Sequence, residues 1–137
     1  MKCEPIRSCR RIFQKYLKHA EEVGRPVRGN DYGVNCGYWI SEFGRLNQVW
    51  HLWRYNSYAQ REELRAKLSQ NSDWTDKYVA VIKEWVKRQD IKILNPHSEF
   101  TPPEVDGNIY EYRDYRTSVG GATHWLNLFK EALPHRE

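Results

Sequence analysis

Apolar positions change period several times along the chain, and each change predicts an element. From Ile12 to Val23 they fall at Ile12, Tyr16, Ala20 and Val23, with Phe13 and Leu17 alongside. That is helical spacing, and Gly24 and Pro26 predict its end. Tyr38–Phe43 and Gln48–Tyr55, rich in aromatic and β-branched residues, flank Gly44-Arg45-Leu46-Asn47, the pattern of a β-hairpin. Ser57 followed by Gln60 makes a capping-box start for a second helix, with Leu64 and Leu68 as its buried stripe. Asn71-Ser72-Asp73 breaks that helix and caps a restart, where Trp74, Tyr78, Val81 and Trp85 recur at helical spacing to about Arg88.

Ile91, Ile93 and Leu94 predict a short strand. Residues 96–107 contain Pro96, Pro102, Pro103 and Gly107 and read as a linker. Asn108–Arg116 has a strand pattern, and Trp125, Leu128, Phe129 and Leu133 form a helical stripe. This last helix closes on Glu131, Pro134 and Arg136, as the first closes on Glu22, Pro26 and Arg28. The chain therefore reads as one complete unit over residues 1–95, the linker, and the first strand and helix of a second unit over residues 108–137. The order predicts an α+β fold of the ferredoxin-like βαββαβ type, an antiparallel sheet with helices on one face. Its first strand, residues 1–9, is the weak element: only Cys3, Ile6 and Cys9 are apolar, and Pro5 disfavours a central strand. Sheet closure is expected to borrow Ile109–Tyr115, from this chain or from a neighbour.

Composition narrows the function classes. The chain has 137 residues, 39% apolar and 29% charged, and no apolar run approaches the roughly 20 residues of a membrane span. The net charge of +4 is uneven, with eight Lys/Arg against three Asp/Glu in residues 1–30. Basicity confined to one segment is not the patch with stacking residues that a nucleic-acid binder carries, so no nucleic-acid partner is expected. Cys3, Cys9 and Cys36 form no CxxC spacing and are odd in number, which predicts reduced thiols. No apolar segment follows the basic start, so a secretory signal is not expected. Arg7, Arg10 and Arg11 fit a mitochondrial presequence, while Glu4 and the scarcity of serine oppose it. The expected location is the mitochondrial matrix or the cytoplasm.

Gly37-Tyr38-Trp39 through Glu42-Phe43-Gly44, then Leu46-Asn47-Gln48-Val49 and His51-Leu52-Trp53-Arg54-Tyr55, closely resemble the NIPSNAP domain. Asn108-Ile109-Tyr110-Glu111-Tyr112-Arg113 resembles that domain's opening strand, and Trp125–Arg136 its first helix. The match runs from about residue 13 to the end. The resemblance implies a dimeric ferredoxin-like (α/β-barrel) fold, in which two sheets pack face to face. Eukaryotic members carry two such domains in tandem, and several are mitochondrial. It further implies docking roles in mitophagy or vesicular trafficking, with other proteins as partners and no established reaction. Two departures, the degraded first strand and the shortened second domain, imply a fragment or a variant form.

The candidate site lies in the hairpin. His51 is its one imidazole and Glu42 its one carboxylate, and with Trp39 and Trp53 they form the candidate ligand pocket. Val49, His51, Trp53 and Tyr55 alternate onto one side of the second strand, and Gln48, Trp50, Leu52 and Arg54 onto the other. One face should meet the helices and the other a partner sheet, which predicts a homodimer. His51 suits a base or ligand near neutral pH, with Glu42 on the facing strand to orient it. The plainer reading is an imidazole hydrogen-bonded inside an aromatic interface. Trp74, Tyr78 and Trp85 read as core. His97, His124 and His135 lack metal-ligand spacing, so no metal is expected. There is no Walker loop, GxGxxG or nucleophile elbow, and no cofactor or catalytic residue is assigned. The expected function is a non-catalytic interaction module. The alternative is a dimeric-barrel enzyme or small apolar ligand binder using His51.

Overall fold

The computed structural model describes residues 6–96 and 107–135. The chain forms two compact units, Met1–Pro102 and Pro103–Glu137. Residues 1–5 of the expected first strand and most of the expected linker lie outside the described residues.

Residues 6–9, expected as strand, begin a helix instead. Helix α1 (Ile6–His19) passes through a widened π-helical turn (Ala20–Gly24) into α2 (Arg25–Arg28). The stop predicted at Gly24 and Pro26 is not taken. Gly24 keeps helical angles (φ −62°, ψ −48°), and Pro26 falls in the first turn of α2, where a missing N–H costs least. The path ends at Gly29, whose φ of +48° suits glycine and whose N–H donates to the Arg25 carbonyl at 2.8 Å. Gly24 is glycine for a different reason. A Cβ there would stand 2.5 Å from the ring of Tyr78.

Strands β1 (Val34–Ile40) and β2 (Val49–Arg54) pair antiparallel, with Tyr38 opposite His51 and Trp39 opposite Trp50. A bulge between Asn35 and Gly37 keeps Asn35 opposite Trp53. The first strand thus begins and ends earlier than the expected Tyr38–Phe43. Ser41 explains the early end: its N–H donates to the Gln48 carbonyl at 3.1 Å and its hydroxyl to the Arg45 carbonyl at 2.7 Å, closing the turn there.

Helix α3 (Tyr58–Gln70) starts as expected, with Ser57 Oγ accepting the Gln60 N–H at 3.1 Å. The Gln60 side chain returns to the Asn56 N–H, at 2.7 Å, one residue upstream of the standard box. Leu68 is buried and Leu64 half-buried, as the stripe predicts. The break falls at Asn71, and Asn71 itself caps the restart by accepting from the N–H groups of Asp73 (2.9 Å) and Trp74 (3.3 Å). The restart is π-helical over Asp73–Val79, followed by α4 (Ala80–Ile82). It therefore ends well short of Arg88.

Tyr78 is the hub of this unit. It is buried together with Ala20, Leu68 and Arg28, stacks on His19 (5.7 Å between ring centroids) and packs against Trp74 (4.6 Å). His19 is anchored in turn by its Nε2 contact with the Lys77 carbonyl at 2.9 Å. Burial, with Tyr16 adjacent, pushes the Tyr78 phenol well above its ordinary range. The expected strand at 91–94 does not form, and Ile91, Ile93 and Leu94 stand exposed. Among the described residues the sheet has two strands. An extended segment with no ladder to join keeps its backbone groups in water.

In the second unit, residues 108–116 form no strand, and the two-stranded sheet of the described residues does not include Ile109–Tyr115. Arg113 instead grips Glu111 two residues back, at 2.8 and 2.7 Å. Helix α5 (Gly121–Ala132) forms where the stripe predicts and ends in a 3-10 turn, Leu133–His135. Trp125 stacks on Phe129 at 4.9 Å and meets Tyr115 at 5.0 Å.

Candidate functional site

The hairpin presents two unlike faces. Trp39 and Trp50, a cross-strand pair, lie on one, and Trp50 is 43% exposed. The ring of Trp39 folds back over Gly37, where a Cβ would meet it at 2.6 Å. Tyr38, His51 and Trp53 lie on the other face, and the helical layer supplies Arg28 to it. The candidate pocket of Trp39, Glu42, His51 and Trp53 is therefore divided. His51 and Trp53 are together, Trp39 is across the sheet, and Glu42 is exposed in the connecting loop. The residue facing His51 is Tyr38, not Glu42.

His51 sits in an aromatic frame. Tyr38 stacks on its ring at 5.1 Å, and the indole N–H of Trp53 donates to Nδ1 at 2.6 Å. That bond occupies the Nδ1 lone pair and favours the tautomer protonated at Nε2. His51 is exposed, yet the neighbouring Tyr38 and Trp53 rings, which displace water from it, and the charges of Arg28 and Arg65 lower its pKa from 6.5, desolvation being the main cause. Every one of these influences opposes charging.

The sign of the pH effect follows. The folded state disfavours imidazolium, so the contribution of neutral His51 to stability is complete above pH 6.5 and is lost as pH falls through the depressed folded value. Urea midpoints should therefore drop between pH 7.5 and pH 5, and His51→Gln should flatten that slope (pH values chosen to straddle about 6.5). An identical slope in the variant would show that His51 does not titrate as argued.

Arg28 is the residue that sequence reasoning missed. Only 6% exposed, its guanidinium lies 3.4 Å from the centre of the Trp53 ring and 5.8 Å from that of Trp74. Nη2 donates to the Tyr55 hydroxyl at 2.9 Å, while Nε is buried without a hydrogen-bond partner. No carboxylate forms an ion pair with it among the described residues. Desolvation accordingly lowers its pKa, against the opposing pull of Tyr55 and Tyr38. Burial likewise raises the Tyr38 phenol. In sequence, Arg28 is one of eight basic residues in the first thirty, and its charge alone does not single it out. The available signal was its place one helical turn after Arg25, immediately before Gly29, where a long side chain can turn toward the hairpin.

The NIPSNAP family model matches residues 11–100. NipSnap homolog 3B of Mus musculus is 32% identical over 100 residues, covering 71% of this chain and 40% of that protein. NipSnap homolog 2 of Danio rerio is 30% identical over 130 residues, covering 91% of this chain and 45% of that protein. The chain thus spans less than half the length of these curated relatives. A solved NIPSNAP family protein from Agrobacterium tumefaciens superposes with a TM-score of 0.59 at 31% identity, covering 65% of this chain and 76% of that one.

Proposed function

The chain belongs to the NIPSNAP family, and on that premise we propose that it is a non-catalytic protein-interaction module that self-associates through its sheet. The observation carrying this reading is apolar surface left in solvent. Ile91, Ile93 and Leu94 are 57–62% exposed, and Trp50, on the sheet face opposite the one that meets Arg28, is 43% exposed. A two-stranded sheet is marginal alone, and contiguous apolar surface marks an interface. A second copy would complete a ferredoxin-like sheet and place two such faces together, as in a dimeric α/β barrel. A docking role in mitochondrial quality control or in vesicular trafficking, in the mitochondrial matrix or the cytoplasm, belongs to the same proposal. So does a division at residues 96–107 between a first domain and the start of a second. No helix among the described residues is long and apolar enough to cross a membrane.

The competing reading, an enzyme or apolar-ligand binder at His51, draws on the aromatic frame around that imidazole. Against it stands the geometry: Nδ1 is taken by Trp53, and no carboxylate orients the ring among the described residues. Native mass spectrometry separates the two. The expected species has twice the 16.5 kDa chain mass with no co-purified small molecule, and Trp50→Glu should convert it to monomer without loss of helical signal. A wild-type monomer at micromolar concentration would end the self-association reading.

A further inference from the structure

Against the Trp53 indole lies a cleft of about 450 Å3 bounded also by Glu21, Arg25, Gly29, Asn30 and Asn35. Trp53 both walls the cleft and lies against the Arg28 guanidinium at 3.4 Å. The polar groups offered to the cleft are weighted toward donors. Asn30 Oδ1 is occupied by the Asn35 backbone N–H at 2.9 Å, and Asn35 Oδ1 by the Gly37 N–H at 2.8 Å. What the two amides have left to give are N–H groups. Arg25 adds a guanidinium, held over the Tyr38 ring at 5.8 Å. Arg28, against the same indole, is buried with Nε unpaired and with no ion-pair partner among the described residues. Glu21 is the one acid in the wall.

We propose that this cleft binds a small organic carboxylate carried on a planar apolar group, with the carboxylate on Arg25 and the Asn30 and Asn35 amides and the planar group on the Trp53 indole. Three features carry the assignment. Arg28 does not line the cleft, but its buried guanidinium lies against the Trp53 indole that does, without an ion-pair partner among the described residues, so its charge adds to a potential that favours an anion there. The Arg25 fork matches a carboxylate in two parallel hydrogen bonds. An indole wall favours a flat apolar body over a branched one. Glu21 sets a limit on affinity, because its charge opposes the ligand's. The site lies on the opposite face of the sheet from Trp50, so it neither requires nor excludes self-association.

The test uses benzoate, with benzamide as its uncharged counterpart, titrated into the full chain while tryptophan indole N–H resonances are followed by NMR. Trp53→Phe identifies the resonance of the cleft. Benzoate should shift that resonance saturably, and benzamide should bind at least about tenfold more weakly, the factor expected for losing a charge-assisted hydrogen bond. Arg25→Gln should weaken benzoate by a similar factor, and Glu21→Gln should tighten it severalfold. Trp50→Glu should leave benzoate binding unchanged, which separates this site from the dimer face. No saturable shift, equal affinity for benzoate and benzamide, or an Arg25→Gln variant that binds like wild type would each overturn the proposal.

Discussion

Replacing Tyr78 with alanine is expected to remove about 3–5 kcal/mol of stability, the usual cost of emptying a large aromatic site in a core. A domain of this size holds roughly 5–15 kcal/mol in total, so this one change should consume about a fifth of it or more. The reason is concentration. Tyr78 is one of six buried residues among those described, and His19, Trp74 and the Gly24 backbone all rest on its ring. Gly24→Ala attacks the same contact from the other side, because its new Cβ would stand 2.5 Å from the Tyr78 ring. Overpacking of this kind costs about 1–3 kcal/mol. The two changes should be strongly non-additive. In a Tyr78→Ala background the added methyl of Gly24→Ala fills vacated space, and its cost should vanish. Urea denaturation of the four members of the cycle tests this. Simple additivity would mean that Gly24 and Tyr78 do not share the contact described here.

That pairing also marks where sequence patterning stops being informative. Features governed by local chemistry were legible. The Ser57 and Gln60 cap, the interruption at Asn71, the hairpin and the stripe of α5 each depend on residues within one or two turns of one another. The resemblance to NIPSNAP, carried by the hairpin residues, agrees with the family match over residues 11–100. Features governed by a distant partner were not legible. Gly24 reads as a helix stop, yet it stays helical, and it is glycine because Tyr78, far along the chain, fills the space a side chain would take. Residues 91–94 and 108–116 alternate like strands, but a strand exists only where another ladder accepts it. In the site, alternation correctly placed His51 and Trp53 on one side. Glu42 lies in the loop because the hydroxyl of Ser41 closes the turn first, and Trp39 lies on the other face because the register sets it opposite Trp50.

The second large effect concerns Arg28, where burial, charge and packing make opposing contributions. Arg28→Ala is expected to cost about 2–4 kcal/mol, within the range for truncating a long side chain in a packed site, since the stem fills space beneath Trp53 and Trp74. Arg28→Met keeps most of that volume and removes the charge. It forfeits a desolvated cation–π contact worth about 2 kcal/mol and the charged hydrogen bond to Tyr55, worth about 1.5–3 kcal/mol. It also removes a buried guanidinium that has an unpaired Nε and no ion-pair partner among the described residues. Isosteric apolar replacement of buried charge is often neutral or stabilising by about 1–4 kcal/mol when no opposite charge is orphaned. The losses, about 3.5–5 kcal/mol together, exceed the gain of about 1–4 kcal/mol, so Arg28→Met should cost about 1–2 kcal/mol, less than Arg28→Ala, by the same urea measurement. A cost below that of Arg28→Ala would show that side-chain volume contributes more to stability than the charge does, leaving the charge to act on the anion proposed for the neighbouring cleft. If Arg28→Met instead destabilises as much as Arg28→Ala, the guanidinium is held by the tryptophans themselves, and its charge needs no ligand to account for it.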